Sequence, residues 1–268
     1  MTPMRRSAGL RIAQLHAHVL GASLDPFLGC DCFWMAQPYF PPHPHAGMSA
    51  VTYMLPESAG GFVNRDSHGD HSLIHPGSLH WTEAARGIMH EEVPMEPGVE
   101  CQGLQIFVNL HSSHKLAPAR TYHLEADVVP VVRFEGASVR VLVGQLGAVS
   151  SPVQPRTACA LWDVSLEPNA TLVLDLPPGW NAFGVLNQGQ LAGFDATGLA
   201  AVRFAPNPGQ LVIVAAHAPV RMVLFCGRPL HEPLVFGGPM VMNTAAQLED
   251  AKRRFLAGDM GQLSQSFV

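Results

Sequence analysis

Glycine and proline punctuate this chain from end to end, with 25 of the first and 23 of the second among 268 residues. Proline removes a backbone donor and glycine weakens a helix interior, so a chain interrupted this often is confined to short segments joined by turns. Many short strands meet that constraint and long helices do not. Hydrophobic residues make up 47% and charged residues 14%, which is ample material for packed cores, and the length suffices for two of them. The expected class is therefore all-β.

Runs rich in β-branched and aromatic residues place strands at 9–18, 32–35, 49–55, 61–65, 79–81 and 104–110. From about Val128 the pattern restarts, with strands expected at 139–143, 158–164, 171–174, 181–186, 209–215 and 220–226. Tyr53-Met54-Leu55 ahead of a glycine turn is echoed by Gly184-Val185-Leu186 ahead of Asn187-Gln188-Gly189, which points to duplication of one barrel. Two domains are expected on this reading, 1–127 and 128–268. One helix closes the second domain, over about 244–257. Asn243 or Thr244 can cap it, Gly258 can end it, Ala245, Leu248, Phe255 and Leu256 form its apolar side, and Glu249 and Arg253 make a favourable pair.

Two stretches inside the first domain carry the chemistry. His43-Pro44-His45 and His90-Glu91-Glu92 each set two metal-ligand side chains two residues apart. Alternate residues of a strand face the same side, so His43 with His45, and His90 with Glu92, can each point together. If the two strands run side by side in a barrel, three imidazoles and one carboxylate converge on one ion. A short His-x-His spacing arises easily by chance in a chain with 14 histidines, but turn signals at Pro76-Gly77 and at Gly87 surround both pairs. Counting from the internal echo, the first pair would fall near Leu172 and Leu174, so the second barrel is expected to carry no metal. The other histidines have weaker claims. His68, His71, His75 and His80 are expected in a polar loop region, with His80 on a strand entering the barrel. His111, His114 and His123 are expected at the surface, while His217 and His231 lack a partner at ligand spacing.

The net charge of -5 argues against direct nucleic-acid binding, since Arg5-Arg6 and Lys252-Arg253-Arg254 are the only basic runs. No stretch of about 20 apolar residues is present to span a membrane. Arg11, Gln14, His16 and His18 interrupt the first apolar run, unlike a secretory signal, and a cytoplasmic protein is expected. Cys30, Cys32, Cys101, Cys159 and Cys226 form no paired framework and are expected to be reduced and partly buried.

Longer blocks then appear in order: His43-Pro44-His45, Val51-Thr52-Tyr53, Arg86-Gly87-Ile88-Met89-His90-Glu91-Glu92, Gly103-Leu104-Gln105 and Gly238-Pro239-Met240-Val241-Met242-Asn243-Thr244. Together they resemble the pirin family of bicupins over most of the chain. The resemblance implies two β-barrels packed face to face, one metal in the first, and ligands at His43, His45, His90 and Glu92. It implies iron as the usual metal, although imidazole and carboxylate donors also suit manganese, nickel, copper or zinc. It further implies a quercetin 2,3-dioxygenase-like activity, and the expected substrate is a flavonol-like or related enolic aromatic compound with dioxygen as co-substrate; Glu92, swinging off the metal or sharing a hydrogen bond, is then the natural catalytic proton acceptor for the enol hydroxyl. The alternative it carries is a redox-responsive regulator of a protein partner, such as a transcription factor or metabolic enzyme. This chain departs from the family pattern at Ala46 and Ser49, where an arginine and an acid are usual, which bears on the pocket's charge rather than on the four ligands.

Overall fold

The computed structural model describes residues 1, 4–16, 24–205 and 208–263. They form short strands and one α-helix, as the spacing of glycine and proline requires. Contacts divide the chain into two compact units. One comprises Thr2–Leu15, Leu28–Asp127 and Leu230–Val268, and the other Met1, His16–Phe27 and Val128–Pro229.

The first unit is built from β1 (Arg5–Ser7), β2 (Leu10–His16), β3 (Phe27–Met35), β4 (His43–His45), β5 (Met48–Met54), β6 (Phe62–Asp66), β7 (His71–Ile74), β8 (Leu79–Glu83), β9 (Ile88–Pro94), β10 (Cys101–Asn109) and β11 (Arg120–Leu124). The strand expected over 9–18 is β2, and positions 17 and 18 lie outside the described residues. Seven strands pair in the order β1-β2-β3-β10-β5-β8-β11 and four in the order β4-β9-β6-β7. Thr52 on the first sheet bonds to Glu92 on the second, so the two sheets enclose one interior.

The second unit contains β12 (Val131–Phe134), β13 (Ala137–Val143), a small hairpin of β14 (Gln145–Leu146) and β15 (Val149–Ser150), β16 (Cys159–Leu166), β17 (Thr171–Asp175), β18 (Asn181–Gln188), β19 (Ala200–Arg203), β20 (Gln210–Val214) and β21 (Val220–Gly227). Its large sheet runs β12-β13-β16-β21-β18-β19, beside a pair formed by β17 and β20. The order β16-β21-β18-β19 repeats β3-β10-β5-β8 of the first unit, so the echo between Tyr53 and Gly184 reflects matching strands.

The end of the chain makes its contacts with the first unit. The segment from Leu230, expected with the second barrel, groups with the first unit. It forms β22 (Val235–Gly237), β23 (Met240–Met242) and α1 (Ala245–Leu256). The cause is a buried apolar contact, in which Ala46 packs with Met240, Met242, Leu248, Ala251 and Met260. Gly47 makes that approach feasible: its φ is 74°, and a Cβ there would lie 1.9 Å from the Val241 carbonyl oxygen. Thr244 caps α1 in a full capping box with Gln247. The expected Glu249–Arg253 pair is replaced by Lys252–Glu249 at 2.7 Å and Arg253–Asp250 at 2.9 Å, both three residues apart. Among the described residues no helix is long and apolar enough to cross a membrane, and the five cysteines are buried and form no disulfide.

Candidate metal centre

β4 and β9 lie side by side with His43 opposite His90 and His45 opposite Ile88. The period-2 alternation then turns His43, His45, His90 and Glu92 toward the barrel interior. The imidazoles meet there. Ligand-capable atoms of His43, His45 and His90 all lie within 4.8 Å of one another, and the Nε2 atoms of His43 and His90 are 3.1 Å apart. Two ligands at right angles on an ion, with bonds of about 2.1 Å, would sit about 3 Å apart. The observed spacing therefore suits two neighbouring positions on one ion.

The ring orientations support the same geometry. Nδ1 of His43 lies 3.0 Å from the Pro41 carbonyl oxygen, and Nδ1 of His45 lies 3.3 Å from that of Pro239. A carbonyl accepts only, so Nδ1 carries the proton in both rings and Nε2 presents a lone pair to the cluster. Burial holds all three imidazoles in the neutral form. It lowers the pKa of His43, takes that of His45 to about 3 with help from His43, and takes that of His90 well below its usual value. These are the conditions a first-row metal needs, since only neutral imidazole binds it.

Glu92 faces the same cavity but stands outside the group of three histidines. Thr52 donates its hydroxyl to the Glu92 carboxylate, 2.7 Å from each oxygen, and lies 3.1 Å from Oε1 of Gln105. Burial raises the Glu92 pKa to about 7, against the lowering effect of the Thr52 bond. The carboxylate is thus poised to take or release a proton near neutrality. A cavity of about 160 Å³ opens beside these groups and is otherwise lined largely by apolar side chains, among them Phe33, Phe40, Phe62 and Phe107. Aromatic residues are few in the chain as a whole, yet four phenylalanines gather here.

Sequence reasoning missed the polar shell behind the site. Asn64 and Asp66 stand opposite Glu92 and His90 on β6, and both are buried. His80, expected on a strand entering the barrel, is 1% exposed on β8 opposite Thr52. Its Nδ1 lies 3.4 Å from Nδ1 of His123, and its Nε2 lies 3.8 Å from Asp70. His123, expected at the surface, is half-buried against it, with Nε2 3.0 Å from Glu125. His68, His71, His75 and His111 are exposed as expected, His114 is partly so, and His217 and His231 are exposed as well. The signal that could have found His80 and Thr52 is their equal register inside paired strands.

The last brace comes from the chain's end. The Pro239 carbonyl orients His45, and the Val241 amide donates to the Ala46 carbonyl at 2.9 Å. Lys115, 1% exposed, donates to the Gly47 and Val241 carbonyls and to Asn109 at 2.7, 3.0 and 2.7 Å. Burial lowers its pKa to about 8.

Two repeated β-barrel units, one of them with a histidine cluster in its interior, define a bicupin with a candidate metal centre. Comparison with known proteins gives the family. The pirin model matches residues 12–108, and the pirin C-terminal cupin model matches residues 161–261. The chain belongs to the pirin family. It is 36% identical over 245 residues to a tomato (Solanum lycopersicum) pirin-like protein, covering 89% of this chain and 83% of the relative. Human pirin is 34% identical over 240 residues, covering 85% and 80%. The crystal structure of a quercetin 2,3-dioxygenase from Acinetobacter baumannii superposes with a TM-score of 0.85 at 26% identity, covering 97% of this chain and 96% of that one.

Proposed function

We propose that this protein is a metal-dependent dioxygenase of quercetin 2,3-dioxygenase type, acting on a flavonol-like or related enolic aromatic compound, with iron as its metal. The observation that carries the reading is the three neutral, converging imidazoles at the head of a phenylalanine-lined cavity that also holds a carboxylate with a pKa of about 7. The structural likeness to the Acinetobacter baumannii enzyme supports the same substrate class. We take the protein to work in the cytoplasm.

On this reading His43, His45 and His90 hold the ion and Glu92 is the fourth ligand after a small rotation away from Thr52. A bound divalent ion would supply Lewis acidity toward an enol oxygen and a place for dioxygen. The protein's part follows from its own residues. Phenylalanine rings seat a planar ligand and exclude water. Glu92 accepts the enol proton, and the Thr52 hydroxyl, donating to whichever oxygen remains, keeps the carboxylate aimed at the cavity. The buried Asn64 and Asp66 back the strand that carries Glu92 and His90.

The test is aerobic incubation of the iron-loaded protein with quercetin. Consumption of flavonol and of dioxygen in step is expected, falling about 100-fold or more in Glu92→Gln, within the range general-base removal produces, and to background in His45→Ala. Equal turnover by either variant and the wild type would contradict the assignment.

A further inference from the structure

The histidine-lined cavity does not end at its phenylalanines. Leu10, Ile12 and Phe40 line it on one side and on the other line a second hollow of about 250 Å³, whose remaining walls include Arg5, Arg6, Tyr39 and Gln14. The inner cavity alone, at about 160 Å³, is smaller than the roughly 300 Å³ at which pockets for multi-ring ligands begin. A ligand whose chelating end reaches the histidines must extend past Phe40 into the outer hollow.

The outer hollow has the chemistry of a binding surface. Tyr39 and Phe40 are 46% and 44% exposed and meet edge to face at 5.1 Å, with Ser7 bonded to the Tyr39 hydroxyl at 3.3 Å. The pairing of β1 with β2 sets Arg5 opposite Ile12 and Ser7 opposite Leu10, so Arg5 shares its face with the two residues common to both hollows. Arg6 pairs with Arg11 on the other face of the strand and borders the hollow from its edge. Arg11 is held by Glu100 at 2.7 Å and lies against Trp34, whereas among the described residues no carboxylate forms an ion pair with Arg5. Two exposed aromatic rings beside an uncompensated guanidinium, on a protein of net charge -5, make a local site for a planar anion.

We infer that the rim formed by Arg5, Tyr39 and Phe40 is a substrate-recognition subsite, and that the substrate is an aromatic compound carrying an anionic group, a carboxylate or sulfate, at the end remote from its chelating oxygens. This rests on reading the inner cavity as the substrate site. It narrows that reading from flavonols in general to anionic aromatic compounds. The anion also supplies selectivity that the apolar inner cavity cannot, because apolar walls discriminate weakly between rings of similar shape.

The experiment is fluorescence titration of the metal-free full-length protein with 6-hydroxy-2-naphthoate and with 2-naphthol, at low and at high salt. The naphthoate is expected to bind about 10-fold more tightly at low salt, a preference that shrinks as salt screens the exposed charge. Arg5→Ala should abolish the preference, whereas Arg11→Ala, whose guanidinium is already neutralised, should keep it. Phe40→Ala should weaken both probes. Equal binding of the two probes by the wild type, no binding of either, survival of the preference in Arg5→Ala, or its loss in Arg11→Ala would each overturn the inference. His45→Ala should retain the preference, so a protein that held no metal would defeat the dioxygenase reading and leave this one standing.

Discussion

Two strand pairs occupy equivalent places in the order of their units and have opposite contents. β4 and β9 set His43 opposite His90, with His45 and Glu92 two residues along. β17 and β20, each also preceding the matching long strand, set Leu172 opposite Ile213 and Leu174 opposite Leu211. All four of the latter are buried in a continuous core with Trp162, Val164, Leu186 and Met222. The comparison teaches that the scaffold itself is indifferent to chemistry. Four inward positions are apolar and packed in one unit and ionisable in the other.

The difference has an energetic side. A fully buried leucine or isoleucine stabilises by about 1.5–3 kcal/mol through lost water contact. Buried imidazoles and carboxylates do the reverse, as the displaced pKa values of His45, His90 and Glu92 show. The first barrel therefore gives up core stability to keep an open site, and the fold is held elsewhere. In this unit the compensation includes the Ala46–Met240–Leu248 contact and the Lys115 bonds that fasten the chain's end beneath the histidine strand.

The comparison can be broken most forcefully in the second barrel. Leu174→Ala should lower unfolding free energy by about 2–5 kcal/mol, because the filled core leaves a cavity. Its metal content, measured per folded protein, should match the wild type. His45→Ala should do the opposite, removing metal while changing metal-free stability by less than about 1 kcal/mol. Denaturant melts with metal analysis check both. A large stability loss in His45→Ala would mean that the histidines are structural.

Acid provides a second, smaller probe. Burial is the main cause that lowers the pKa of His80, to about 4, with Asp70 opposing it and His123 adding to it. A group whose folded pKa is depressed is protonated first in the unfolded chain, so its contribution is present above about 6.5 and is lost as pH falls toward 4. The size is at most about 3 kcal/mol. Urea midpoints of the metal-free protein should fall between pH 7 and pH 4.5, and His80→Gln should flatten that slope. An unchanged slope would remove His80 from the buried shell.

Thr52→Val should have the smallest effect. It removes the bond that lowers the Glu92 pKa, so that pKa should rise further above about 7. Metal affinity at neutral pH should fall about 10-fold, the low end for losing a group that orients a ligand. Competition with a chromophoric chelator measures it, and a wild-type affinity would show that Thr52 does not orient the carboxylate.

The histidine pairs were legible because strand alternation is local: His45 follows His43 by two positions, and the turn at Gly87 opens the strand that carries His90 and Glu92. The terminal helix was legible for the same reason, through a cap at Asn243 or Thr244 and a stop at Gly258. What escaped depends on long-range pairing. Asn64 and Asp66 read as ordinary polar residues until strand register sets them across from Glu92 and His90, and Thr52 until it falls across from His80. The brace from Pro239 to His45 crosses 194 positions, and no local pattern announces it. For that reason the contacts that the segment after Leu230 makes with the first unit were not legible. The cluster of four phenylalanines was likewise hidden by a low overall aromatic content.

The central claim is that His43, His45 and His90 make the first barrel a metal centre while the second is a packed core. Metal analysis of protein purified without added metal tests it directly, on the wild type, His43→Ala, His90→Ala and Leu174→Ala. About one equivalent of a first-row transition metal, iron foremost, is expected in the wild type and in folded Leu174→Ala, and almost none in the two histidine variants. Retention of metal in both histidine variants would contradict the account.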